Sequence, residues 1–442
     1  MGGARATALT ALERCRRSGA WSDAVLGGVM DAAELNRRDR ALASALCYGV
    51  LQNRALLDAA LAGYSARPLN KAEPKVLNIL RISAFQILFL DRVPASAAVN
   101  EGVALCRALG YGRAAGYVNA VLRKLAATPV LPDLHGLPEN ERLSVRYSHP
   151  LWLVDALLAE LGAEETEAFL RCNNAPAPLT MQVNTTRTDT SGLAAALSRD
   201  GVQTAAHPFL PDCLTAERAG EIGKTAAFRE GLFYVQDAAA KCAVLAAAPQ
   251  PGQRILDACA APGGKSFAAA ILTGDHAEIT ACDLHEKKLS RVCAGAERMG
   301  LRSIQTTQAD ARENRAEWNG GFDLVLVDAP CSGLGIIRKK PDIRYRDADA
   351  LTGLPEAQYR ILRNCARYVA PGGTLLYATC TVLPAENGGV VRRFLAETDD
   401  FAPEDFTYPA AAPCGSTDGM VTLWPQRGGT DGFFIAKLRK HA

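Results

Sequence analysis

Two cysteines, an aspartate and a lysine carry most of the reactive chemistry in this 442-residue chain. Cys331 closes the run Asp328-Ala329-Pro330-Cys331, and Cys380 closes Ala378-Thr379-Cys380. Each follows an apolar run, Leu324 to Val327 and Leu375 to Tyr377, of the kind that forms a buried strand. A thiol attacks only as a thiolate, and with an ordinary pKa of about 8.5 it needs an activating neighbour at neutral pH. Taken alone, either cysteine reads as a small core residue. As a pair at two strand ends they read as covalent-catalysis groups. Asp328 can stabilise charge developing on a substrate, and Pro330 fixes the backbone before Cys331. Lys265 can reach a substrate or help depress a thiol pKa. Spacing does not decide which thiol attacks.

A glycine turn comes first in the chain. Ile255 and Leu256 end a short apolar run, Cys259-Ala260-Ala261-Pro262-Gly263-Gly264-Lys265 follows, and a helical pattern starts at Lys265. Strand, glycine turn and helix is how a doubly wound sheet holds a nucleotide-like cofactor. The turn has neither the G-x-G-x-x-G fingerprint nor the upstream glycine of a phosphate loop. Further strands, expected over 279–283, 304–310, 322–328 and 373–380, end at Asp283, Asp310, Asp328 and Cys380. One such aspartate alone would be a helix cap. Several in register point to a ligand at the carboxyl ends of the strands, with Asp283 about 20 residues past the turn, where a ribose carboxylate belongs.

These groups need a parallel α/β sheet to position them, expected over 231–442. Before it, residues 1–126 read as all helix, with apolar stripes such as Leu77, Leu80, Ala84, Leu88 and Val118, Val121, Leu122, Leu125. Pro129, Pro132, Gly136 and Pro138 give 127–145 a linker composition. Residues 146–230 read as a small α+β unit in which His149, before Pro150, makes a structural turn. Asn100-Glu101 and 116–120 suit either helix caps or RNA contacts. The net charge of +2 hides an imbalance: residues 1–125 hold 17 Lys and Arg against 9 Asp and Glu, or +8, leaving −6 for the rest. A basic helical module suggests an anionic partner. The 13 cysteines include no C-x-x-C, so no metal site is expected and a reducing, cytoplasmic setting is. No signal peptide or membrane span is visible, and no obligatory protein partner is evident.

Three motifs together, CAAPGGK at 259–265, DAPCSG at 328–333 and ATC at 378–380, resemble the S-adenosylmethionine-dependent RNA cytosine-5 methyltransferases of the Sun type. The whole chain is similar to the bacterial small-subunit ribosomal RNA branch of that family. The resemblance implies an all-α NusB-like RNA-binding domain at the N-terminus, a small α+β domain that helps form the RNA cleft, and a Rossmann-like methyltransferase domain at the C-terminus. It implies S-adenosyl-L-methionine as cofactor, cradled by 259–265 with Asp283 on the ribose, Asp310 near the adenine and Asp328 between cofactor and base. Small-subunit (16S) ribosomal RNA would be the substrate. Cys380 would attack C6 of the cytosine and Cys331 would assist product release, with Lys265 and Asp328 also in the catalytic set. The basic loop Lys339-Lys340-Pro341-Asp342-Ile343-Arg344-Tyr345 would contact RNA phosphate. Thr381 stands where the family usually has serine. A methyltransferase of exocyclic amines would carry an N-P-P-Y strand end in place of Asp-Ala-Pro-Cys, and a non-catalytic RNA-binding factor would not need both thiols.

Overall fold

The structure is a computed structural model describing residues 3–18, 21–216, 220–407 and 415–442. Its chain divides into two compact units, one of residues 1–175 with 337–346, the other of 176–336 with 347–442.

The first unit is helical: α1 (Ala4–Ser18), α2 (Ser22–Ala32), α3 (Arg37–Ala62), α4 (Pro74–Phe89), α5 (Ala95–Ala108), α6 (Ala115–Ala127), α7 (Glu139–Tyr147), α8 (Leu151–Leu161) and α9 (Ala163–Asn174). Val118, Val121, Leu122 and Leu125 are buried as their spacing requires. On α4 the buried face centres on Val76, Ile79, Leu80 and Ile82, so Leu77 and Leu88 sit at its margins. The stretch expected to be a linker becomes helical at Glu139. His149 is buried, with Nδ1 2.8 Å from the Tyr147 carbonyl.

The basic loop departs most from expectation. Residues 337–346 belong to the helical unit, and Arg344 is fully buried. The reason lies in α3, whose backbone leaves helical geometry at Asn53 (φ −122°, ψ 19°). A break in the i→i−4 ladder frees carbonyls and amides that need partners. The Tyr345 hydroxyl donates to the Leu51 carbonyl (2.6 Å), and Arg344 Nη1 donates to the Gln52 carbonyl (3.3 Å) and to Asn174 Oδ1 (2.8 Å). The Ser148 hydroxyl takes the amides of Ala55 and Leu56 at 3.1 and 3.2 Å. Arg344 and Tyr345 are therefore structural keys, not phosphate contacts. Burial pushes the Arg344 guanidinium down to about 10.

The second unit begins with a four-stranded antiparallel sheet in the order β2-β3-β1-β4: β1 (Leu179–Val183), β2 (Ala205–Ala206), β3 (Cys213–Ala216), β4 (Phe233–Val235). The short helices α10 (Thr190–Arg199) and α11 (Ala226–Arg229) accompany it. After α12 (Ala238–Ala247) the chain winds β5 (Arg254–Asp257), α13 (Gly264–Leu272), β6 (Glu278–Asp283), α14 (Glu286–Met299), β7 (Ile304–Gln308) and β8 (Phe322–Asp328). Then come α15 (Leu354–Ala366), β9 (Val369–Thr379), α16 (Gly388–Ala396), β10 (Phe401–Pro403), β11 (Met420–Leu423), α17 (Pro425–Gly428) and β12 (Phe433–Lys440). The sheet order is β10-β12-β9-β8-β5-β6-β7, parallel from β9 to β7, with β12 antiparallel to β9 and β11 on β12. Successive strand residues serve opposite cores. Ile255, Leu324, Leu326 and Leu376 pack on the side of α12, α13 and α14. Leu256, Val325, Val327 and Leu375 pack on the side of α15 and α16. Burial on both faces explains the unbroken apolar runs.

Pro371-Gly372-Gly373, a composition that by itself signals a turn, lies inside β9 as an irregularity. Between the pairs Phe322–Val369 and Leu324–Thr374, β8 advances two residues and β9 five. No helix among the described residues is long and apolar enough to cross a membrane.

Candidate active site

Strand order reverses between β5 and β8, and ligands in such sheets bind at that switch point, beyond the carboxyl ends of the strands. The CAAPGGK turn leaves β5 there, and Asp328 ends the adjacent β8. In register Asp328 faces Ala378 of β9, so the residues that follow each strand end, Cys331 and Cys380, are brought together. Their sulfurs are 3.3 Å apart.

The loops holding the thiols are fastened to each other. The Gly335 amide donates to the Cys380 carbonyl (3.0 Å), and the Gly432 amide donates to the Gly335 carbonyl (2.8 Å). A side chain at Gly335 would place its Cβ 1.9 Å from the Gly432 oxygen, so only glycine permits this approach. Ser332 and Thr381 hydroxyls are 2.6 Å apart. Glu386, buried, accepts from the Ser332 amide (2.9 Å) and the Gln358 amide nitrogen (2.8 Å), and lies 3.4 Å from the Thr381 hydroxyl. It is a positioning group that sequence reading missed, because an acid six residues past Cys380 in a loop looks like surface. Thr381, in the place of a serine, keeps the hydroxyl this network uses.

A cavity of about 810 Å³ opens at the switch point. Cys259, Ala260, Pro262, Gly264, Lys265, Asp328 and Cys380 line it, whereas Ala261, Gly263, Cys331, Asp283 and Asp310 stay off its wall. Lys265 Nζ pairs with Asp328 Oδ2 at 2.6 Å, the lysine side chain 7% and the aspartate 33% exposed. The lysine is thus paired with Asp328. The Cys331 thiol is held well above the usual range, first by its contact with Cys380, then by burial and by the Glu386 and Asp328 carboxylates. Burial likewise keeps the Cys259 thiol protonated. Asp283 accepts from the His285 amide (2.9 Å). Asp310 is forked by Arg312 (2.6 Å), which holds its carboxyl below the usual range.

Three cavity-lining residues that the motif reading passed over carry buried polar atoms with no hydrogen-bond partner among the described residues: Tyr234 Oη, Gln236 Oε1 and Asp257 Oδ1. An orphaned buried acceptor is costly unless something else satisfies it. Asp257 Oδ2 accepts from the Ser266 hydroxyl (2.6 Å). Burial raises the Asp257 carboxyl to about 6 despite that bond. The signal for Asp257 was its place at the end of β5; the motif that begins two residues later drew the attention.

S-adenosylmethionine suits these residues. It presents two cationic centres, an ammonium and a sulfonium, for unpaired acceptors, and a cavity of this size is within the usual range of about 300–1,000 Å³. The turn favours glycine most at Gly263 (φ 110°), where a Cβ would lie 2.4 Å from the Phe267 ring; one on Gly264 would lie 2.8 Å from Gln236 Nε2, which would have to move. No group of metal-ligating side chains occurs among the described residues.

Comparison with known proteins covers each part of the chain. Residues 244–439 match a family model described as 16S rRNA methyltransferase RsmB/F, residues 3–127 the NusB family, and residues 149–223 the ferredoxin-like domain of RsmF/B-like methyltransferases. A Bacillus subtilis protein named "Probable ribosomal RNA small subunit methyltransferase B" is 35% identical over 442 residues, 99% of this chain and 98% of its own. A Xylella fastidiosa protein named "Ribosomal RNA small subunit methyltransferase B" is 36% identical over 408 residues, 91% and 92% of the two chains. Among solved structures, that of PH0851 superposes with a TM-score of 0.82 at 26% identity, covering 98% of both chains.

Proposed function

Because the chain belongs to the RsmB/F family of 16S rRNA methyltransferases, we propose that it methylates C5 of a cytosine in small-subunit ribosomal RNA through a covalent bond between Cys380 and C6. The observation that carries this reading is the pair of thiols 3.3 Å apart beside the glycine turn, with Cys380 on the cavity wall and Cys331 off it.

S-adenosylmethionine, when bound, supplies an electrophilic methyl group; the other steps belong to side chains. Cytosine C5 is a weak nucleophile, and addition of a thiolate at C6 makes it enamine-like. Cys380 is the attacking group, because it faces the space the base would occupy. Cys331 lies 3.3 Å from the Cys380 sulfur, close enough for the two thiols to share a hydrogen bond. The Asp328–Lys265 pair offsets the charge pushed into the ring. Once Cys380 has bonded carbon it no longer shares a hydrogen bond with Cys331. Cys331, after giving its own proton to solvent, takes the C5 proton, directly or through water, and departure of that proton expels the Cys380 thiolate. Asp283 and Asp310 lie off the cavity's wall, and their assignment to the ribose and adenine of the cofactor rests on the family resemblance. A cytosine must leave the helical stack to reach the thiol, which costs a few kcal/mol less in loops than in duplex.

Incubating the full chain with unmodified small-subunit RNA and S-adenosylmethionine, then sequencing after bisulfite, tests the reading. One protected cytosine is expected. Methylation of an exocyclic nitrogen or a ribose, or of no nucleotide, would sink it.

Asp257 gives a second expected result. A cationic ligand beside this carboxyl favours its ionised form, so binding expels the proton that a carboxyl of pKa about 6 holds in more acidic solution. Affinity for S-adenosylmethionine should therefore be level above pH 6 and fall below it, by up to about tenfold per pH unit. Calorimetry in buffers of different ionisation enthalpy counts the proton. Asp257→Asn should weaken binding and flatten the profile; an unchanged profile in the variant would clear Asp257 of the role.

A further inference from the structure

A second cavity, of about 460 Å³, lies within the helical unit, and its walls are unlike those of a hydrophobic core. Arg16, Arg54, Arg81 and Arg346 line it together with Trp21 and Tyr345. The Arg54 guanidinium carbon lies over the Tyr345 ring, 3.5 Å from its centre, and that of Arg346 lies 4.5 Å from the centre of the Trp21 ring. Arg81 is neutralised by a fork onto Asp58 (2.7 Å), and Arg16 by Glu13 (2.9 Å). The one carboxylate on the wall, Asp342, is occupied by the amide and hydroxyl of Ser22, both at 2.8 Å. Arg54 has no hydrogen-bond or ion-pair partner among the described residues. Burial pushes its guanidinium below the usual arginine range. A desolvated guanidinium with no direct partner is costly, and Asp58, which Arg81 holds, offsets its charge only in part.

We propose that this cavity is a nucleotide-binding site of the helical unit, in which Arg54 pairs with an RNA phosphate and a base stacks on the Trp21 or Tyr345 side. Guanidinium on aromatic ring is the surface on which unpaired bases stack, and a fork of N–H donors matches a phosphate. A carboxylate-bearing peptide would use the charge but not the stacked rings. Asp342, Tyr345 and Arg346 bring to its wall the segment that the chain reaches shortly after Cys331. It rests on the RNA reading above and adds the place where RNA outside the target base is held.

The test uses the full chain and a short labelled single-stranded RNA containing 4-thiouridine. Arg54→Gln should weaken RNA binding about tenfold and lower the slope of log affinity against log salt by about one. Arg54→Lys, which keeps the charge, should restore the slope but not all of the affinity. Photocrosslinking should label the peptides holding Trp21 or Tyr345. If Arg54→Gln melts early, Trp21→Leu, which removes a stacking ring and no charge, should weaken RNA binding with the slope unchanged. Parental affinity and slope in these variants, crosslinks only elsewhere, or displacement of RNA by polyglutamate as readily as by polyphosphate would each overturn the site. S-adenosylmethionine binding should be the same in every variant. A chain that binds RNA through Arg54 yet methylates no cytosine would leave this inference standing and remove the other.

Discussion

Replacing Cys380 by alanine should abolish methyl transfer, by about 10⁴-fold or more, and leave no covalent complex with RNA. Replacing Cys331 should give the opposite picture. Attack and a single methyl transfer go ahead, turnover falls by about 10²–10⁴, and enzyme and methylated RNA stay joined through Cys380. A denaturing gel reads both results. The argument is one of proton placement. After transfer C5 carries a methyl group and a hydrogen, and the carbon–sulfur bond cannot break until that hydrogen leaves as a proton. Cys331, 3.3 Å from the attacking sulfur, is the group placed to accept it. A trapped complex in Cys380→Ala, and none in Cys331→Ala, would exchange the two roles.

The second large effect belongs to the Lys265–Asp328 pair, which meets at 2.6 Å. Asp328→Asn should lower the rate of the chemical step by about 10²–10³, as expected for a group that stabilises charge in the transition state. Lys265→Met should do nearly as much. The double variant should cost little more than either single one, because the two act as a unit. Single-turnover rates with saturating cofactor and RNA measure the step itself. Additive losses would mean that lysine and aspartate act separately. Affinity for S-adenosylmethionine, measured alongside, shows whether the loss is in chemistry or in binding.

Much of this site could be read from sequence because its parts lie at strand ends. Short apolar runs of two to four residues marked the strands, and the residues that follow such runs share one edge of a parallel sheet. That placed Asp328, Cys331 and Cys380 together before any coordinates. The groups that hold them were not legible. Glu386 looks like a loop acid, and its value comes from Ser332, 54 residues away in sequence. Tyr234 and Gln236 stand before a helix and carry no motif. Arg344 is the sharpest case. In sequence it is one charge in a basic loop, which ordinarily means solvent or phosphate. Its burial depends on a kink at Asn53 that frees the Gln52 carbonyl, a match between distant segments that no local periodicity records. The bulge in β9 was missed for a related reason: Pro-Gly-Gly signals a turn, and only the neighbouring strand lets it stay inside a sheet.

The discontinuity of the helical unit also has a consequence in time. Residues 1–175 leave the ribosome first, but the segment that completes the unit, 337–346, is separated from them by 161 residues. At roughly 5–20 residues per second that is a wait of about ten to thirty seconds. Through that interval the Leu51 and Gln52 carbonyls of α3 lack the Tyr345 and Arg344 donors that later take them. The nascent helical unit is therefore an unfinished one, and its completion reports that the strand bearing Cys331 has already been made.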